Sequence, residues 1–230
     1  MQNIYAIILA GGLGTRINND LPKQFLLIAD KPVIIHTIEK FINPDINGII
    51  LVIANGYIKY MKELIKIHKI KNVLDVIAGG ETRQGSSYNA IKSRSYSNED
   101  ILIFHDAARP FVTSEIINIC IKKAKETGAS GTYVKAVDTI ALIEKNIVRS
   151  IPSRSKLYYT QTPQAFRYDI IRQAHELSLS KGVINATDDV QLVMNSGNNV
   201  EPIEGDYKNI KITTEFDLKL AEFISLQIKE

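Results

Sequence analysis

Short apolar runs alternate along the chain with segments whose apolar positions recur every three or four residues, the pattern of buried parallel strands joined by helices. Tyr5 to Ala10, Ile49 to Ala54, Val73 to Ala78 and Ile101 to His105 are predicted as strands. Between them, Pro32 to Phe41, Tyr57 to His68 and Gly85 to Ser93 are predicted as helices, with Pro32 suited to a first helical turn. Thr113 is placed to cap a helix that runs to about Glu126 and stops at Gly128. Later the pattern predicts helices over Tyr168 to about Ser180, Asp188 to Asn195 and Glu215 to Gln227, the last with Leu220, Ile224 and Ile228 along one apolar face. Short strands are predicted around Val200 to Ile203 and Asn209 to Thr213. The fold class is therefore α/β, a doubly wound, mostly parallel, Rossmann-like sheet.

The rhythm breaks between Thr132 and Pro152. Thr132 to Ile143 and Ile147 to Ile151 read as two strands of a hairpin about the polar Glu144-Lys145-Asn146, with no helix to cover them. An uncovered β-arm exposes unpaired edges, and a second copy of the chain is the economical cover. The expectation is a single domain over residues 1–230 with a protruding arm at about 132–152.

Composition narrows the classes without choosing among enzymes. A net charge of +3, from 28 Lys and Arg against 25 Asp and Glu, is too small and dispersed to indicate nucleic acid or an anionic membrane as a partner. Cys120 is the only cysteine, so neither an intrachain disulfide nor a cysteine metal cluster is available. It recurs with Ile116, Ile117, Ile121 and Ala124 at helical spacing and is expected in the core. The first apolar run is far too short for a signal peptide or membrane span, and the cytoplasm is the expected location.

The candidate chemistry clusters where strands end. Ile7-Ile8-Leu9-Ala10-Gly11-Gly12-Leu13-Gly14-Thr15-Arg16 is a strand breaking into a glycine turn, and Lys23 follows in Leu21-Pro22-Lys23-Gln24-Phe25. Glycines let peptide N–H groups approach a phosphate closely, and the two cations add charge. The turn is not a P-loop, because Gln24 rather than a hydroxyl residue follows Lys23. It is also a poor dinucleotide fingerprint, since Asn18-Asn19-Asp20 and Pro22 prolong the loop where a helix should begin. Gly79-Gly80-Glu81-Thr82-Arg83-Gln84-Gly85-Ser86-Ser87 forms a second glycine-rich edge, where backbone at Gly80 and Glu81 and the Ser86 hydroxyl could read a base or merely cap a helix. Arg83 reads there as a surface cation or a packing residue.

Phe104-His105-Asp106-Ala107-Ala108-Arg109-Pro110-Phe111 puts an acid at the end of another strand. Asp106 is the metal candidate, because Mg²⁺ on substrate phosphates takes only one or two protein carboxylates; a helix cap or a partner for Arg109 is the plainer role. His105 lacks a nucleophile or ligand-spaced partners and reads as a hydrogen-bonded structural histidine, while His36, His68 and His175 signal nothing further. In Asn209-Ile210-Lys211-Ile212-Thr213 the alternation turns Ile210 and Ile212 one way and Lys211 the other, toward solvent or toward the crevice.

Taken in order, LAGGLGTR with LPKQF, GGETRQGSS, HDAARPF, AVDTI, RSKLYYTQTPQAF, ATDD and NIKITT span nearly the whole chain, which resembles the polyol-phosphate cytidylyltransferases. Members make CDP-linked methylerythritol or ribitol. The resemblance implies a nucleotidyltransferase-type sheet, CTP as donor, Mg²⁺ or another divalent cation as cofactor, and in-line attack of an acceptor phosphate on the α-phosphorus with release of pyrophosphate. It implies that Ala10, Gly11, Gly12, Gly14, Gly80, Glu81, Ser86, Asp106 and Ala107 surround CTP and its metal. Arg16, Lys23 and Lys211 would be the catalytic cations, which turns Lys211 toward the crevice. Arg109, Thr139, Arg154 and Thr187 would hold the acceptor, with Thr139 and Arg154 reaching the other subunit's site in a homodimer joined by the arm. HDAARP and ATDD are similar to the methylerythritol branch, whereas Val137, Ala141 and the Gly11-Gly12 pair are similar to the ribitol branch. The acceptor-pocket block carries the expectation of methylerythritol phosphate, with ribitol phosphate as the alternative. Two further classes, a non-catalytic nucleotide-binding protein and a nicotinamide-dependent oxidoreductase, predict respectively binding without turnover and binding of NADH.

Overall fold

In a computed structural model, which describes residues 2–12 and 21–227, the chain forms a layered α/β structure. Strand β1 (Ile4–Ala10) leads through the turn of Lys23–Phe25 to a small ribbon of β2 (Leu27–Ile28) and β3 (Lys31–Pro32). Then come α1 (Val33–Lys40), β4 (Gly48–Ile53), α2 (Ile58–Ile67), β5 (Val73–Ala78), α3 (Arg83–Lys92), β6 (Ile101–Asp106) and α4 (Ser114–Thr127). The second half continues with β7 (Ala129–Lys135), the hairpin of β8 (Leu142–Glu144) and β9 (Ile147–Ser150), β10 (Tyr158–Arg167), α5 (Tyr168–Ser180), α6 (Asp189–Asn195), β11 (Glu201–Glu204) and α7 (Glu215–Gln227). The main sheet runs β11-β7-β10-β6-β1-β4-β5, parallel except for β10, which is antiparallel to both neighbours.

Period-two alternation in the central strands divides the core. Ala6, Ile8 and Ala10 of β1, with Ile49, Leu51 and Ile53 of β4, pack against α1, α2 and α4. Ile7, Leu9, Ile50 and Val52 point the opposite way, into α3, α5 and α6. Both faces are covered, which is why these strands read as continuous apolar runs. Cys120 lies fully buried in the α4 face, its thiol pushed up to about 12 by burial. As expected, the Thr113 hydroxyl caps α4 by accepting from the Ile116 N–H, and Gly128 closes it in the left-handed region at φ 91°. A separate cluster joins α7, through Ala221 and Ile224, to Leu26, Ile28, Phe111 and Ile212; Ile228 lies outside the described residues.

Two expectations are corrected. The run from Thr132 to Lys135 belongs to β7 in the main sheet, so the free hairpin is confined to Leu142–Glu144 and Ile147–Ser150. Asn209 to Thr213 is no strand: its alternation survives, with Ile212 buried and Lys211 exposed, but the Ile212 N–H reaches a single carbonyl, Ala108 O at 2.9 Å, and no ladder forms. Strand β10 was not anticipated, because its Thr160, Gln161, Thr162 and Gln164 are polar and Pro163 interrupts them. Gln161 and Gln164 are nonetheless buried, and tertiary hydrogen bonds satisfy their donors.

Candidate active site

Parallel strands bring β5, β4, β1 and β6 to a common carboxyl edge, with Ala10 paired to Ile53, Ile53 to Ala78 and Leu9 to Asp106. An open cavity of about 230 Å³ lies there. Its lining brings together Ala10, Gly11, Gly12, Lys23, Gly80, Glu81, Ser86, Asp106, Ala107 and Lys211, every described residue expected at the nucleotide, metal or catalytic positions. Arg16 and Gly14 lie outside the described residues.

The two glycine edges meet because neither carries a side chain. A Cβ on Gly11 would stand 2.7 Å from the Ser86 hydroxyl, and one on Gly80 would stand 2.6 Å from the Gly85 backbone. The Gly80 N–H donates to Ser86 Oγ at 3.1 Å, and that hydroxyl donates to Thr82 O at 3.0 Å, so the turn folds onto the start of α3. On the other side, the buried Gln24 donates to Ala10 O at 2.9 Å and Gly12 O at 3.2 Å. That amide fastens the Lys23 turn to the end of β1, a positioning role the sequence reading missed.

Asp106 gathers the charge. Its Oδ2 lies 2.9 Å from Lys211 Nζ and 3.5 Å from Arg109 Nε, and its N–H donates to Thr162 Oγ1. Burial opposes ionisation of Asp106, but Lys211, Arg83 and Arg109 outweigh it and hold the carboxyl well below the usual range. The carboxylate therefore stays charged in the cavity. His105 is structural, as expected: it is fully buried, lies 3.0 Å by Nε2 from Arg109 O, tilts against Phe41, and is held down at about 4 by burial.

Arg83 is no surface cation. It lines the cavity and its Nη1 contacts Asp189 Oδ2 at 2.7 Å, while Ser87 and His175 also bond that carboxylate at 3.0 and 2.9 Å. Asp189 is held at about 2, burial being overcome by Arg83 and His175. The expected acceptor residues do not line this cavity. Arg109 lies beside Asp106 and donates to Asn209 O at 2.8 Å and, at the surface, to Thr160 O at 3.4 Å. Thr187 is exposed just before α6, and Thr139 and Arg154 are exposed in the segments that flank the hairpin, where Arg154 donates to Val137 O at 2.8 Å.

Among the described residues no cluster of three or more His, Cys, Asp or Glu could cage a metal. One ionised carboxylate on a phosphate-sized cleft does fit Mg²⁺ held mainly by substrate phosphates.

A doubly wound sheet with a cationic, glycine-edged cleft at its carboxyl ends is an architecture suited to nucleotide phosphates, and its relatives place it in the nucleotidyltransferase class of enzymes. The family model described as IspD, 2-C-methyl-D-erythritol 4-phosphate cytidylyltransferase, matches residues 4–227, and the chain belongs to that family. It is 41% identical over 219 residues to the Thermosipho africanus protein of that name, covering 94% of this chain and 96% of the relative. Among solved structures, 4-diphosphocytidyl-2C-methyl-D-erythritol synthase from Anaerococcus prevotii superposes with a TM-score of 0.85 at 30% identity, covering 98% of this chain and 99% of that one. The Francisella tularensis 2-C-methyl-D-erythritol 4-phosphate cytidylyltransferase gives 0.82 at 30% identity, covering 96% and 99%.

Proposed function

We propose that this chain transfers the cytidylyl group of CTP to 2-C-methyl-D-erythritol 4-phosphate and releases pyrophosphate. The observation that carries the reading is the cavity in which Lys23 and the Lys211–Asp106 pair face the two glycine edges, in a chain of this family. An acceptor phosphate oxygen forms a bond to the α-phosphorus of CTP as the bond to the β-phosphate bridging oxygen breaks, and no enzyme group is covalently modified. Negative charge concentrates on the α-phosphoryl oxygens in that transition state. Lys23 and Lys211 stabilise it from fixed positions, together with Arg16 by the family resemblance. Gly80, Glu81 and Ser86 read the base, and Gly11 and Gly12 admit the phosphates.

Mg²⁺, when bound, neutralises phosphate charge and aligns the leaving pyrophosphate. Asp106 is the carboxylate that would hold it, and Lys211 keeps that carboxylate ionised. Arg109, Thr187, Thr139 and Arg154 take the acceptor, the last two from a second copy of the chain. Support for the pairing of copies is the arm itself: Leu142, Ile143, Ile147, Val148 and Ile151 are all more than half exposed. The test is pyrophosphate release from CTP with methylerythritol 4-phosphate and with ribitol 5-phosphate, side by side. Release with the first and little with the second is expected; equal rates, or release with ribitol phosphate alone, would reassign the acceptor.

A further inference from the structure

The segment 183–189, which ends in the Thr187-Asp188-Asp189 run, is fastened to the first turn of α3 at both ends. At its start the Gln84 amide is fully engaged: Nε2 donates to Val183 O at 2.8 Å and Ser178 Oγ at 3.1 Å, and Oε1 accepts from the Ala186 N–H at 2.8 Å. Thr82 Oγ1 adds a bond to Ile184 O at 3.0 Å. At its end Asp189 accepts from Arg83, Ser87 and His175. Asp188 accepts from Gln164 Nε2 at 2.9 Å and caps α6. The exposed Thr187 is thus bracketed by residues that are tied down on either side. The same α3 turn forms the nucleotide edge on its other face, through Gly80 and Ser86. Gln84 itself is 2% exposed and lines no part of the cavity.

From this arrangement we infer that Gln84 is a positioning residue for the acceptor: it sets the place of Thr187 by holding 183–186 against α3, and touches neither substrate. The inference rests on the reading of Thr187 as an acceptor contact. Side chains that align a reactant need to be placed within fractions of an ångström, and small displacements are costly in rate. Loss of the Gln84 bonds would free Val183 and Ala186 while leaving the glycine edges and Lys23 as they are. Acceptor use should therefore suffer and CTP binding should not.

The experiment compares Gln84→Met with the unaltered protein in steady-state pyrophosphate release, varying CTP and methylerythritol 4-phosphate separately. The expected result is a KM for the acceptor raised about ten-fold or more, with the KM for CTP changed less than about three-fold. A merely structural role would lower the active fraction, and hence the apparent kcat, with neither KM moved; that result, or equal shifts in both KM values, overturns the inference. Should Gln84→Met fail to fold, Ser178→Ala removes one of the same bonds and the bond of the Ser178 hydroxyl to Val183 O at 2.8 Å, and it is expected to show the same split, smaller in size. Inactivity of the unaltered protein with this acceptor would strike the underlying reading, whereas an active protein with an unmoved variant strikes the role of Gln84 alone.

Discussion

Lys211 illustrates how one side chain takes its role from a partner distant in sequence. Alternation alone left it facing either solvent or crevice; the contact with Asp106 at 2.9 Å turns it into the cavity. Lys211→Ala should lower kcat by about 10² to 10³ with the fold intact, the usual consequence of removing one preorganised group that stabilises transition-state charge. Near-normal turnover in a pyrophosphate-release assay would remove Lys211 from the reaction. His105 makes a prediction about stability instead. Its folded pKa, about 4, lies below the ordinary value of 6.5, so the unfolded chain binds the extra proton first and stability falls with pH through that interval. Between pH 6.5 and 5 this one group should cost about 2 kcal/mol. Asp189 does not interfere, because its depressed pKa stabilises the fold above the usual carboxylate range and that contribution is lost only as pH falls toward 2. His36 is also lowered, chiefly by partial burial, so some slope will persist. Urea midpoints at pH 6.5 and 5 should therefore fall less in His105→Gln than in the unaltered protein, and equal falls would refute the assignment. Arg83, Gln84 and Asp189 were illegible at this scale, since Arg83 and Asp189 pair across a separation of 106 residues.

At the scale of elements, the hairpin was legible and its limits were not. Lys145 and Asn146 adopt φ of 51° and 61°, so the turn takes two of the three polar residues between the apolar runs and Glu144 joins β8. What periodicity could not tell was that Thr132 to Lys135 would pair with both β10 and β11. Strand β10 stayed hidden for the converse reason: buried glutamines and threonines are tolerable only when tertiary partners satisfy them, and those partners come from the 188 and 206 regions. If the arm joins two copies, Ile143→Asp with Val148→Asp should convert a dimer to a monomer in sedimentation. The same change should cut turnover at least about ten-fold and leave the thermal shift caused by CTP nearly intact. A double variant that remains dimeric and active would show the arm to be idle.

For the molecule as a whole, the site exists because four parallel strands deliver their carboxyl ends to one edge. CTP at about a hundred times its Kd should stabilise the protein by about 2.7 kcal/mol, with no comparable effect of NADH. A shift with NADH alone would restore the oxidoreductase reading. Chelation of divalent cations should abolish pyrophosphate release, and added Mg²⁺ should restore it. Among the described residues no helix is long and apolar enough to cross a membrane. The sequence by itself determined the strands β1, β4, β5 and β6, the helices between them, and the glycine-and-cation composition of the nucleotide edge, because burial, nearly complete in β1, β4 and β6 and partial in the edge strand β5, and phosphate binding each demand local residue types. Only the tertiary structure decided that Lys211 meets Asp106, that Arg83 turns inward to Asp189, that Gln84 ties the 183–186 segment to α3, and that β10 enters the sheet. Each of these depends on polar groups that are stable when buried only if a partner far along the chain arrives to meet them.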